Sequence, residues 1–341
     1  MKKRDVPERR GGDEAGRLLI STVPFAQYDE SPRAWLGAAG IEVVENPIGR
    51  RLKEDEIADL IGGHDYLIAD TEPITERVLA RADRLKLIVR VGIGLDSVDL
   101  AAARAHGVAV SYTPDAPSPG VSELTIGLMV ALLRQTHIAD RSLHAGGWDR
   151  YMGRRLAEVT VGVVGVGRIG KRVIRHLRGG FPGVRLMAND LVPDSEFGAE
   201  HDVTWAEKDA IYRDADVITL HLPLTPQTRD MMGAAELAAM KGDAVLVNTA
   251  RGGIVNEAAL AAALRSEAIG GAAVDAFLEE PYSGELAGIE RCILTCHMGS
   301  MTKDCRIRME TEATEEVLRM ARGEPLRSQA PEAEYSIQAA R

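Results

Sequence analysis

The sequence is poor in cysteine. Cys292, Cys296 and Cys305 are the only ones in 341 residues. So small and odd a number excludes a disulfide framework, and their spacing fits no zinc motif, so incidental or buried thiols and no metal site are expected. Aromatic residues are 4% of the chain, which disfavours the stacking platforms that hold single-stranded nucleic acid. There is no basic surplus either: 41 Lys and Arg against 51 Asp and Glu leave a net charge of −10. This argues against nucleic acid as a partner, because phosphate backbones require a basic face. No apolar run reaches the roughly 18 residues of a membrane span. The charged start at Met1 to Asp5 is not followed by an apolar signal core. A soluble cytoplasmic protein without a membrane partner is expected.

What is present fits a globular α/β chain. Hydrophobic residues at 45% allow a full core, and 34 glycines point to many tight turns or close backbone approaches. The length corresponds to two domains at roughly 150 residues each. Short β-branched runs recur at 18–22, 41–44, 66–69, 87–90 and 108–111, with helical patterns between them. A second alternating series has strands expected at 159–164, 184–188, 216–220, 244–248, 272–275 and 292–295. Such alternation implies parallel βαβ units. Between the series lie the Pro-rich stretch 112–120, read as a hinge, and one long helix expected over 121–143. The last helix is expected at about 303–321, and residues 1–16 and 329–341 read as tails. The economical picture is two doubly wound lobes, Rossmann- or flavodoxin-like, with a cleft between them as the default ligand site.

Gly165, Gly167 and Gly170 form G-x-G-x-x-G after a β-branched run and before a helical one. In that context Gly165 makes the tight turn, Gly167 lets the backbone approach a pyrophosphate, and Gly170 lets helix and strand pack closely. The helix start presents amides and a positive dipole end to the phosphates. The next strand ends in Asp190, 20 residues beyond Gly170. A carboxylate there accepts from the ribose hydroxyls of NAD and repels the 2′-phosphate of NADP.

Three polar residues follow strands of the second series: Arg251 after 244–248, Glu280 after 272–275, and His297 after 292–295. Ligands of open α/β sheets gather at the carboxyl ends of strands. An Arg fork grips a carboxylate, a His exchanges a proton with a hydroxyl, and a Glu beside the imidazole orients it and favours its charged form.

These residues bring a family into view. The chain resembles the NAD-dependent D-2-hydroxyacid dehydrogenases, which include phosphoglycerate, glycerate, D-lactate, formate and phosphite dehydrogenases. The resemblance runs from about Leu18 to Pro325. It rests on the segments 91–100, 120–124, 165–170, 221–224, 248–255, 275–281 and 297–300. It implies a substrate lobe of residues 17–116 plus 301–328 and an NAD-binding lobe of 117–300. Arg251, Glu280 and His297 match the family's catalytic residues. Gly165, Gly167, Arg168, Ile169, Gly170, Asp190, Pro223, Ala250, Asp275, His297 and Gly299 match its cofactor contacts, with Asp275 expected near the nicotinamide carboxamide. Backbone amides of Val91 and Gly92, with Arg251 and His297, would receive the substrate. A homodimer built partly on the long helix is implied.

The departures bear on the substrate. Where many members have Pro before the catalytic His, this chain has Cys296. Formate dehydrogenases carry Gln in place of Glu280, so formate is disfavoured. Phosphoglycerate dehydrogenases of the best-known type carry an Arg-Ser pair after the third strand; the corresponding stretch here is 69–75, with Asp70 or Thr71 at the Arg position. Arg50, Arg51, Arg134 and the arginines of 150–155 remain candidates for a second anion contact, which leaves a phospho- or phosphono-substituted acid open. The competing reading is an NAD(H)-sensing binding protein of the same fold, since transcriptional corepressors share its catalytic residues.

Overall fold

The computed structural model describes residues 16–339, so the tail expected at the N-terminus lies almost wholly outside the described residues. The chain begins with β1 (Arg17–Ile20), α1 (Ser31–Ala38), β2 (Glu42–Glu45), α2 (Glu54–Leu60), β3 (Tyr66–Ala69), α3 (Glu76–Leu79), β4 (Leu87–Arg90), α4 (Leu100–Ala105) and β5 (Ala109–Tyr112). It continues with α5 (Ser118–Arg134), α6 (Thr136–His144), β6 (Thr160–Val164), α7 (Arg168–Gly180), β7 (Arg185–Asn189), α8 (Ser195–Glu200) and β8 (Val203–Trp205). Then come α9 (Lys208–Asp214), β9 (Val217–Leu220), α10 (Ala234–Ala239), β10 (Val245–Asn248), α11 (Glu257–Arg265), β11 (Gly271–Val274), β12 (Cys292–Leu294), α12 (Lys303–Ala321) and α13 (Glu332–Ala339). The chain divides into two compact units, one of residues up to Pro117 plus those from Thr302 onward, the other of Ser118–Met301.

The first unit holds a five-stranded sheet in the order β2-β1-β3-β4-β5, all pairs parallel. Leu18, Leu19 and Ile20 are all fully buried, as are Leu67, Ile68 and Ala69. Helices cover both faces of a parallel sheet, so its central strands are buried along runs of apolar residues rather than alternating, while the edge strand β2 keeps Glu42 and Glu45 exposed. One face packs against Ile57, Ile61, Val78 and Leu100, the other against Leu36, Met309, Ala313 and Val317 of α1 and α12. The second unit holds seven parallel strands in the order β12-β11-β10-β9-β6-β7-β8. Its strand order reverses at β6, between β7 and β9, and a ligand crevice opens at such a switch point beyond the carboxyl ends of the strands. Asp99, Asp194, Asn256 and Thr302 cap α4, α8, α11 and α12 by accepting backbone N–H groups. No helix among the described residues is long and apolar enough to cross a membrane.

Three expectations change. The long helix over 121–143 is two helices, α5 and α6, broken at Gln135, whose backbone is left-handed with φ 50°. A non-glycine residue in that region cannot continue a helix. The Pro-rich stretch does not stay irregular to residue 120, because Ser118, Pro119 and Gly120 form the first turn of α5, where proline loses no intrahelical donor. Residues 329–341 do not form only a tail. Ala330 is buried in the core and 332–339 are helical.

A carboxyl group is buried at the end of β3. Glu72 is fully buried, accepts from the Ser21 hydroxyl and is hydrogen-bonded by the Asp70 amide at 3.1 and 3.2 Å. Burial lifts its pKa above the ordinary glutamate value, and nearby Asp70 adds to the lift. Its folded form therefore holds the proton more tightly than the unfolded chain does. The associated stability is complete below the unfolded pKa of about 4.3 and is lost as pH rises through the folded one. Glu72→Gln removes this titration. The urea midpoint of the variant should gain on that of the wild type as pH is raised from about 4 to 8; a pH-independent difference between the two would contradict the assignment.

Candidate active site

The glycine loop follows β6 at the switch point. Gly165 has φ 92°, and Gly170 lies so close beneath it that a Cβ there would overlap the Gly165 carbonyl. A Cβ on Gly167, the residue before α7, would meet nothing within 4 Å. The protein leaves open space over Gly167, where a pyrophosphate needs close approach to the backbone. Arg168 and Ile169 open α7, with Arg168 exposed and Ile169 packed in part against the core.

Asp190 follows β7. Its Oδ2 accepts from the Val166 amide at 2.7 Å and its Oδ1 from the Val192 amide at 3.1 Å. Each oxygen keeps an acceptor position, so the carboxylate is fixed by the backbone and still able to take a pair of hydroxyls. These residues fit NAD. His221 follows β9 beside the loop, its Nε2 3.0 Å from the Thr219 hydroxyl. Desolvation pushes the imidazole down to about 3, so it is neutral near pH 7. Pro223 is tied back by the Thr228 hydroxyl, which donates to its carbonyl at 2.7 Å.

The catalytic candidates lie on loops after β10, β11 and β12. Arg251 is half-buried and donates from Nη1 to the Ala250 carbonyl at 2.7 Å. Asn248 shapes that turn, accepting from the Ala250 amide and donating to the Arg251 carbonyl. A Cβ on Gly252 would overlap the backbone of Phe277 and Leu278. Only glycine therefore lets the Arg251 loop close on the Phe277–Glu280 loop. Glu280 accepts from the Phe277 amide at 3.1 Å, and both its oxygens stand 3.0 Å from His297 Nδ1. An Nδ1–H donated to that carboxylate leaves Nε2 to exchange a proton. The His297 side chain is 35% exposed and that of Glu280 23%, so the pair is reachable and only partly screened.

His297 itself has φ 49°, an uncommon conformation that surrounding contacts must hold. Asp275, 1% exposed, supplies them. Its carbonyl accepts from the His297 amide at 2.7 Å; its Oδ1 accepts from the Thr295 hydroxyl and the Met298 amide, and its Oδ2 from the Gly299 amide. Asp275, expected near the nicotinamide carboxamide, builds the loop that carries His297. Sequence reasoning missed this role. The signal available was the position of an acid after one strand and a His loop after the next.

In the five-stranded unit the expected substrate amides are already taken. The Val91 amide donates to the Ala69 carbonyl at 2.8 Å and the Gly92 amide to the Thr113 hydroxyl at 2.7 Å. Ile93 and Gly94, the next residues of the same loop, are part-exposed, and among the described hydrogen bonds neither amide is a donor. Asp70 accepts from Thr22 Oγ1 at 2.9 Å and lies 3.6 Å from Arg306 Nη1.

The glycine loop yields a paired test. Gly167→Ala should leave the melting temperature unchanged and weaken NADH binding tenfold or more, about 1.4 kcal/mol. Gly170→Ala should lower both, since its Cβ meets backbone. Calorimetric Kd values and thermal melts read the two effects separately; equal behaviour of the two variants would show that the loop does not approach the cofactor.

Comparison with known proteins agrees with this geometry. Residues 126–299 match the family model "D-isomer specific 2-hydroxyacid dehydrogenase, NAD binding domain". The chain is 36% identical over 288 residues to D-3-phosphoglycerate dehydrogenase of Methanocaldococcus jannaschii, covering 83% of this chain and 55% of that one. It therefore spans about half the length of that relative. It is 33% identical over 276 residues to hydroxypyruvate reductase of Thermotoga maritima, covering 79% of this chain and 88% of the relative. Among solved structures, TT0316 protein from Thermus thermophilus superposes with a TM-score of 0.84 at 30% identity, covering 92% of this chain and 100% of the other. With the glycine loop, Asp190 and the His297–Glu280 pair in place, the chain belongs to the D-isomer specific 2-hydroxyacid dehydrogenase family.

Proposed function

We propose that the protein is an NAD-dependent dehydrogenase interconverting a small D-2-hydroxy acid and its 2-oxo acid. The observation that supports this best is the His297–Glu280 pair, with Nδ1 3.0 Å from both carboxylate oxygens and Nε2 left for chemistry. In the reductive direction protonated His297 gives a proton from Nε2 to the substrate oxygen; in the oxidative direction neutral His297 takes it back. Glu280 holds the tautomer and stabilises the imidazolium. Arg251 grips the carboxylate and polarises the carbonyl. The Gly165–Gly170 loop and Asp190 would hold NAD, whose bound nicotinamide would supply the hydride chemistry. Taken by itself, the five-stranded unit has the Ile93 and Gly94 amides as donors available to a carboxylate.

The substrate class we infer is an unphosphorylated acid of the hydroxypyruvate or glyoxylate type. Asp70 places a carboxylate at the end of β3, and Arg306 is spent on Glu310, Thr22 and Asp70. A phosphate at Asp70 would meet like charge. The relative named hydroxypyruvate reductase, of which 88% is covered, points the same way. A cytoplasmic location is in keeping with the three unpaired cysteines. We further infer a homodimer, on the exposed apolar side chains Leu143, Trp148 and Met152, which are 58%, 80% and 95% exposed in the single chain.

The first test is NADH oxidation with purified protein across glyoxylate, hydroxypyruvate, pyruvate, phosphonopyruvate and phosphohydroxypyruvate. Turnover with NADH over NADPH, and with hydroxypyruvate over its phosphate ester, is expected. NADH binding without turnover of any acid would favour the NAD(H)-sensing alternative. His297→Asn should lower kcat by about 10³-fold or more, within the range seen for acid–base residues and triads, while NADH binding holds. Light scattering should give twice the chain mass, and Trp148→Asp should return it to one; a monomeric wild type would remove the dimer.

A further inference from the structure

The loop from Val91 to Asp99 carries the Ile93 and Gly94 amides, and it is fastened at both ends. At its start Gly92 and Thr113 exchange backbone and hydroxyl hydrogen bonds, the Thr113 amide donating to the Gly92 carbonyl at 3.2 Å. Toward its end the Ile74 amide donates to the Ser97 carbonyl at 2.7 Å and the Asp99 amide to the Ile74 carbonyl at 2.8 Å.

A further set of contacts comes from α13, more than 200 residues away in sequence. Gln338 Nε2 donates to the Leu95 and Val98 carbonyls, both at 2.9 Å, and its Oε1 accepts from the Leu100 amide at 3.0 Å. Both ends of one side-chain amide are thus engaged with the backbone of the loop and the first residue of α4. The helix is seated by other residues. Tyr335, one turn before Gln338, packs on the core cluster containing Leu95, Val98 and Leu100. The Arg104 guanidinium lies 3.7 Å from the centre of the Tyr335 ring and pairs with Glu332 at 2.6 Å. Ala330 joins the same core, and its amide donates to the Val110 carbonyl at 2.8 Å.

We propose that Gln338 is a positioning residue for substrate binding and that α13 is the clamp that delivers it. Fixing Leu95, Val98 and Leu100 holds the turn that aims the Ile93 and Gly94 amides at an anionic group. Donors ordered beforehand save the entropy of ordering them on binding. The proposal rests on the reading of Ile93 and Gly94 as carboxylate donors, so its test reads the loop and the substrate separately.

The test uses the full chain with Gln338→Ala and Gln338→Glu. The Glu variant keeps the acceptor for Leu100 and removes both donors. Hydrogen exchange in the substrate-free protein, read on the peptide spanning Val91 to Asp99, should accelerate in both variants while the peptides of β6 and β7 stay unchanged. The KM for hydroxypyruvate should rise about tenfold, the size of one lost hydrogen bond of about 1.4 kcal/mol. The kcat and the NADH Kd should stay within about twofold, a split that general destabilisation does not produce. Unchanged exchange in the loop would overturn the clamp whatever the kinetics show. Faster exchange with unchanged KM would overturn the carboxylate reading of Ile93 and Gly94, and with it the positioning role of Gln338.

Discussion

The position of the His297 imidazole depends on one buried carboxylate. Asp275 is nearly inaccessible, and burying a charge is costly unless donors replace its water. The donors are the Thr295 hydroxyl and the Met298 and Gly299 amides, at 2.6, 2.9 and 2.9 Å. All come from the loop that carries His297. The desolvation cost is offset only when that loop takes one conformation, and in it His297 has a left-handed backbone. The low dielectric that makes the carboxylate expensive also makes each of these hydrogen bonds strong. Glu280 then acts on an imidazole whose backbone is already set. One carboxylate places the imidazole, and the other stands 3.0 Å from its Nδ1.

The fold makes this economical. Both sheets are parallel, so within each one every strand delivers its following loop to the same edge. The loops after β6, β9, β10, β11 and β12 carry the glycine turn, His221, Arg251, Asp275 with Glu280, and His297. Most of these groups sit on loops rather than on a helix face, with Gly170 of α7 packed beneath the Gly165 turn as the exception. The core therefore tolerates ordinary apolar exchange, while the loops are constrained residue by residue. Gly252 illustrates the constraint, since its missing Cβ is what lets the Arg251 and Glu280 loops close on each other.

Much of this was legible in sequence because the chemistry names its own residue types. A base, its carboxylate, an arginine and a glycine loop followed by an acid stand at strand ends that the apolar runs reveal. The parallel arrangement was legible in the alternation of short apolar runs with helical patterns. What escaped were features that depend on partners distant in sequence. Every backbone amide looks alike in a sequence, and whether the one at Gly92 is free depends on a hydroxyl at Thr113. The break at Gln135 lies inside an apolar pattern that reads as one helix, and the three-residue strand Val203–Trp205 is too short to show a period. Helix α13 buries little, with no wholly buried residue, and gives a faint apolar stripe.

The three aspartates at strand ends differ in consequence because they differ in what holds them. Asp275 spends its oxygens on the loop and is structural first. Asp190 takes one backbone amide on each oxygen, which locks its charge in place and keeps acceptor positions for hydroxyls. A 2′-phosphate at that position would bring negative charge against a carboxylate that cannot swing away. Asp70 is held by a hydroxyl and lies near a guanidinium already shared with Glu310. Arg306 therefore has little positive charge to spare for a second anion. One physical rule covers both positions: a carboxylate anchored by its neighbours repels a phosphate far better than one free to turn aside.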